Sequence, residues 1–298
     1  MTHKLYRIEG GVICGAAEHS TSLRIVAMMD ELQRIMQEKL PETRKKAFFF
    51  YYRRNIKTFL KLAWRCAALL IPSIIALWIR ESYFDSLLQS LSVVTEEGIQ
   101  AVRNSTNAQF GIIDNIALIP FLVFLPGMLR VIRQVFWNEP LIFKWDYHKG
   151  IRQNAGRFLL AALPICVIDA FLKWVVPSTP TLVLRAVWLV LLLPICIWFL
   201  LQAVYYQLGI WAGFRNAVIL YIRTWPVTLA FLAVTALPFY ILSEVAYLQI
   251  YKYIALLTLG FVYVIPIATI WMLYASAVFD KYINKKNYPD FYRKGMQR

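Results

Sequence analysis

Apolar positions in this chain come in blocks the length of whole membrane spans. Six such runs lie at about 62–80, 111–136, 158–176, 183–204, 226–243 and 253–278. Each is close to the length a helix needs to cross about 30 Å of hydrocarbon, and the second and sixth are long enough to tilt or to extend past the lipid. Ahead of them, Ile25, Met28, Met29, Leu32, Ile35 and Met36 recur at helical spacing. With Ser20 and Ser22 available as caps and Pro41 just beyond, residues 22–40 read as an amphipathic helix, packed on the protein or on the membrane surface. Between the first two runs, Phe84, Leu87, Leu88, Leu91 and Val94 keep a helical period. That period predicts a further amphipathic helix lying along the surface within an exterior loop, 81–110. The expected fold class is all-α: a polytopic membrane helix bundle of about six transmembrane helices, plus the N-terminal amphipathic helix.

Composition supports this reading. The chain is 59% apolar and 16% charged, against about 25% charged in soluble domains. Its net charge of +15 would suit nucleic acid if it were gathered on one compact domain. Instead the basic residues sit in short blocks between apolar runs, which argues against a nucleic-acid partner. With the N-terminus inside, the segments 1–65, 130–157, 207–224 and 279–298 hold 27 of the 32 Lys and Arg. By the positive-inside rule both termini are then cytoplasmic. The block from Arg44 to Arg65, with its aromatic run at 48–52, is suited to anionic lipid headgroups. This divides the chain into a cytoplasmic N-terminal region (1–58), a first span with the exterior loop (59–109), a membrane domain (110–280) and a basic cytoplasmic tail (281–298).

Ionisable residues at depth are candidates for function. Asp169 lies inside the third span with Lys173 one turn later, an i,i+4 pair able to neutralise itself. Asp114, Glu244, Arg185 and Lys252 fall at a similar level, which predicts a charged ring at the exterior mouth and makes Asp169, Lys173, Asp114 and Glu244 the candidate intramembrane polar site. Every span contains or borders a proline, and Leu163-Pro164-Ile165-Cys166 recurs as Leu193-Pro194-Ile195-Cys196. Such kinks and echoes admit a small secondary transporter or channel with Asp169 near its path; ordinary kinking of membrane helices accounts for them equally. Three of the four cysteines lie in apolar spans and the three histidines outside them, with no metal spacing, P-loop or nucleophile elbow. No catalytic residue, cofactor or metal is expected. Residues 10–17 are too short an apolar patch for a signal peptide, and Asn104-Ser105-Thr106 matches only the weak glycosylation pattern.

The most distinctive stretch is 125–160. A span ends at Pro126, followed by Val131-Ile132-Arg133, Trp137, Glu139-Pro140, Phe143, Trp145, Tyr147, Lys149, Arg152 and Asn154. Over roughly 110–280 the chain resembles the YesL-like family, bacterial integral membrane proteins of unknown function. Gly213 to Pro226 resembles the family's second cytoplasmic arm, and Arg215-Asn216 echoes Arg152 and Asn154. The resemblance implies a bacterial plasma (inner) membrane and an accessory role near carbohydrate uptake, with ABC transporter subunits or another membrane protein as partners. It carries no catalytic residue. Physically, 136–158 reads as a cytoplasmic arm held at the interface, with Trp137, Trp145 and Tyr147 in the headgroup region. Arg130, Arg133, Lys149 and Arg152 would then face phosphates or a docking partner.

Overall fold

The computed structural model describes residues 40–90, 95–175, 179–245 and 249–297. Among these the chain is mostly helical and has no strand, with six helices long and apolar enough to cross a membrane. This is the all-α helix bundle of an integral membrane protein. A short α1, Arg44–Arg54, is capped by the Thr43 side chain and followed by α2, Ile56–Gln89. Next come α3, Glu96–Phe136, and α4, Phe143–Trp174. The fourth crossing is built from α5, Thr179–Val187, a π-helical turn Trp188–Leu192, and α6, Leu193–Tyr205. A long α7, Ile210–Val245, precedes α8, Gln249–Val262, and α9, Val264–Phe279. The break between the last two sits at Tyr263, three residues before Pro266, whose ring disfavours a continuous helix there. Residues 41–298 form one compact unit.

Within that unit α3 and α4 make the most extensive helix pair, and α2 lies against both α3 and α8. The α6–α7 pair joins through α4, and α9 touches helices from every part of the unit. Small residues permit the closest approach. A Cβ on Gly150 would stand 2.9 Å from the Gly127 Cα, so the α3 and α4 backbones meet directly there. The core at this level is aromatic and fully enclosed, with Trp198, Phe59, Phe158 and Phe279 among its buried side chains. Outward faces stay apolar. On α7, Trp211, Ile222, Trp225 and Leu237 are all exposed, as expected of a helix solvated by lipid rather than water.

Two prolines show how the bundle stays saturated in hydrogen bonds. A helical proline leaves the carbonyl four residues earlier without its donor, and lipid supplies none. Pro194 frees Val190, whose carbonyl accepts the hydroxyl of Tyr221 from α7. Pro238 frees Val234, whose carbonyl accepts the hydroxyl of Tyr263 at 2.8 Å.

Three expectations need correction. The segment 81–110 holds no separate surface helix: α2 runs on to Gln89 and α3 begins at Glu96, so the period at 84–88 belongs to α2 itself. The fifth span, expected at about 226–243, belongs to a helix that starts earlier, at Ile210. In both places the helix continues past the apolar window, because backbone hydrogen bonding does not stop where hydrocarbon does. Asn104 to Thr106 lie in α3 with Thr106 buried, not in the surface loop that glycosylation requires. The amphipathic helix at 22–40 lies outside the described residues.

Candidate functional site

The charged groups of the bundle gather at its two ends. At one end Asp114 of α3 is the hub. Its Oδ2 accepts from Arg80 Nη1 of α2 at 2.7 Å and lies 3.3 Å from Lys173 Nζ of α4. Lys173 also pairs with Asp169 Oδ2 at 2.9 Å, the i,i+4 contact expected from spacing. Asn115 Nδ2 donates to the same Asp169 oxygen at 3.1 Å and bridges to the carbonyl of Cys166. Three helices are thus tied by a network in which each carboxylate meets a cation. Arg185 is elsewhere engaged, donating to the Leu172 carbonyl at 2.9 Å. Glu244 falls in the last turn of α7. Asn115 was the member that spacing did not reveal, since its partner is on another helix.

The opposite end is built from the arm, and its geometry differs from an interfacial loop. Helix α3 stops at Asn138, whose φ of 52° is left-handed, a common way to end a helix when Asn or Gly follows. After the short connection 137–142, α4 starts at once. Asp146 in its first turn accepts the Ile142 N–H at 2.9 Å and the Gln134 side chain at 2.9 Å, and it favours the helix N-terminus electrostatically. Arg65 of α2 stacks over both Phe143 and Tyr147, 4.6 and 4.3 Å from the ring centres. Most of the arm is therefore the first turns of α4, clamped between α2 and α3.

That clamp sorts the candidate residues. Trp137 and Tyr147 are core residues, 9% and 3% exposed, which corrects their expected place in the headgroup region. Each contributes more by burying its ring here than it would at a wet interface. Trp145 does face outward, with Lys149 Nζ 4.2 Å from its ring centre. Arg152 is exposed beside it. Arg133 turns inward, donates to the Val204 carbonyl and stacks on Trp137 at 4.7 Å. Arg130 donates to Gln153 at 2.7 Å, and Asn154 is 6% exposed. Arg215 is exposed on α7, whereas Asn216 lines a small cavity of about 210 Å³ with Arg223, Tyr282 and Tyr288.

The C-terminal residues complete this end. Arg44 of α1 pairs with Asp280 at 2.5 Å, Asp280 accepts the Arg293 N–H, and Lys294 pairs with Glu139 at 2.5 Å. Gly295 takes φ +77°, and a Cβ there would fall 1.9 Å from the Phe136 carbonyl oxygen. The expected basic tail is thus a folded strap over the α3–α4 connection. Beneath it Tyr206 donates to Asn284 at 2.5 Å, and burial pushes its phenol well above the usual tyrosine range. Among the described residues no three His, Cys, Asp or Glu side chains come together as a metal site would need.

Compared with protein-family models, curated proteins and solved structures, the chain matches none.

Proposed function

We propose that this integral membrane protein is a non-enzymatic accessory or interaction subunit associated with solute uptake, with carbohydrate uptake as the specific setting. In this reading it spans a bacterial plasma membrane with both termini and the arm cytoplasmic, and it docks an acidic surface of another membrane protein, such as an ABC transporter subunit. One observation carries it: the asymmetry of the two ends. At the Asp114 end, cations and carboxylates close on each other. At the arm end, exposed Trp145 and Arg152 with half-buried Lys149 present an aromatic and cationic face, and no carboxylate pairs with Lys149 or Arg152 among the described residues. An exposed Trp flanked by cations suits a partner hot spot, and the 27-to-5 division of basic residues supports a cytoplasmic position for this face. Anionic headgroups would hold the same end at the membrane.

The transporter reading gains little from Asp169, which is engaged by Lys173 and Asn115. The carbohydrate setting comes from the YesL-like resemblance alone.

Crosslinking in cells at native expression, followed by affinity purification in mild detergent, tests the proposal. A transporter permease or ATPase subunit recovered in fixed ratio is the expected result. Recovery of the chain alone would count against it. Orientation is tested separately by an impermeant thiol reagent on a Cys14→Ser background. Cys placed at Arg152 should stay unlabelled in intact cells and react after permeabilisation.

A further inference from the structure

Behind the exposed face lies a cavity of about 660 Å³, within the size range of small-ligand sites. Five cations line it: Arg130 and Arg133 from α3, Lys149 and Arg157 from α4, and Lys294 from the strap. Glu139 is the one carboxylate among the described lining residues, and Lys294 already occupies it at 2.5 Å. Arg130 Nε lies 4.0 Å from Asp146 Oδ1, a carboxylate that also serves Ile142 and Gln134, so Arg133, Lys149 and Arg157 converge on the cavity with no ion pair among the described residues. Like charges gathered in one cavity repel each other, so an anion bound there relieves that repulsion.

These cations are placed, not merely collected by the orientation rule. The Arg130 side chain is 13% exposed and its Nε has no hydrogen-bond partner; the Nε of Arg133 is likewise buried and unpartnered. Asn154, 6% exposed, lines the same cavity. Opposite them Tyr206, Tyr288 and Phe291 form a flat aromatic wall, with rings stacked or tilted 5.3 to 6.3 Å apart.

We propose that this cavity binds a phosphoryl group, clasped by Arg130, Arg133 and Asn154, with an attached ring or glycerol moiety against the aromatic wall. Guanidinium forks match phosphate oxygens in geometry as well as charge. The ligand is either a soluble phosphate ester or the headgroup of an anionic lipid, and the chemistry is the same for both. The site stands whether or not a protein partner covers Trp145.

The full chain in phosphatidylcholine nanodiscs is titrated calorimetrically with inorganic phosphate and with phenyl phosphate. In parallel, its unfolding temperature is compared between phosphatidylcholine and phosphatidylglycerol nanodiscs. The variants are Arg130→Gln, the more peripheral Lys149→Gln, and Lys57→Gln as an exposed cation outside the cavity. Saturable binding, tighter for phenyl phosphate, weakened roughly tenfold by either cavity variant and unchanged by Lys57→Gln supports a soluble ester. Stabilisation by phosphatidylglycerol that is lost in the cavity variants, without binding of the soluble probes, supports a headgroup. Neither effect in the wild type, or equal weakening by all three variants, overturns the proposal.

Discussion

The hydroxyl of Tyr263 donates to the carbonyl of Val234 at 2.8 Å, four residues before Pro238 removes that carbonyl's own donor. The pairing predicts a specific non-additivity. Tyr263→Phe should cost about 0.6 to 1.5 kcal/mol. In a Pro238→Ala background the new Ala N–H can serve Val234, so the same Phe substitution should then cost close to nothing. A double-mutant cycle on unfolding in detergent measures the difference. Equal costs in both backgrounds would show that the hydroxyl serves no proline defect.

The network at the other end ranks its carboxylates. Asp114 holds Arg80 and Lys173 together, so Asp114→Ala leaves two partly buried cations facing each other. We expect a loss of about 2 kcal/mol, between the exposed and buried limits for ion pairs. Asp169→Asn keeps an acceptor for Lys173 and should cost about 1 kcal/mol or less. Unfolding in denaturant with both variants checks the order. In proteoliposomes, solute flux that is abolished by Asp169→Asn would revive the transporter reading.

The strap should fail as a unit. Tyr51 donates to the Gly295 carbonyl at 2.7 Å, while a Cβ at Gly295 meets the Phe136 backbone. Tyr51→Phe should cost about 1 kcal/mol, but Gly295→Ala should release the last turns altogether. Limited proteolysis reads this directly: cleavage after Arg293 or Lys294 should be slow in wild type and Tyr51→Phe, and rapid in Gly295→Ala.

Tyr206 gives the pH dependence. Its folded-state pKa is raised by burial, above an unfolded value of about 10. Its contribution is therefore full below about pH 10 and is lost as the pH rises beyond that. Tyr206→Phe should be less stable than wild type by about 1 kcal/mol, through the lost bond to Asn284. That gap should stay constant between about pH 6 and 9 and narrow above about pH 10. A gap that changes near neutrality would mean that another group titrates against Tyr206.

The crossings were legible because lipid imposes a length, and runs such as 111–136 announce it. Where helices leave the lipid that ruler ends, so the fifth span reads as starting at 226 although α7 starts at Ile210, and Leu87 reads as part of a separate surface helix. Asp169 and Lys173 were legible as a pair because i,i+4 geometry is local. Asn115 was not, since its contact depends on the register between α3 and α4. Trp137 and Trp145 are the same residue type eight positions apart, one buried and one exposed. Trp137 is covered by Tyr205 of α6, by Arg133 and by the strap residues Phe291 and Lys294, contacts that spacing along the chain does not show. The aromatic and basic pattern of the arm could suggest a docking region but not which of its aromatic rings faces out.

The central claim, that the arm end docks another membrane protein, is tested most directly by a photo-crosslinking residue at position 145 in living cells, with position 225 on the exposed face of α7 as the comparison. The account predicts one discrete adduct with a transport subunit from position 145, lost when Lys149 and Arg152 are reversed to Glu, and only lipid adducts from position 225. Lipid adducts alone from both positions would contradict it.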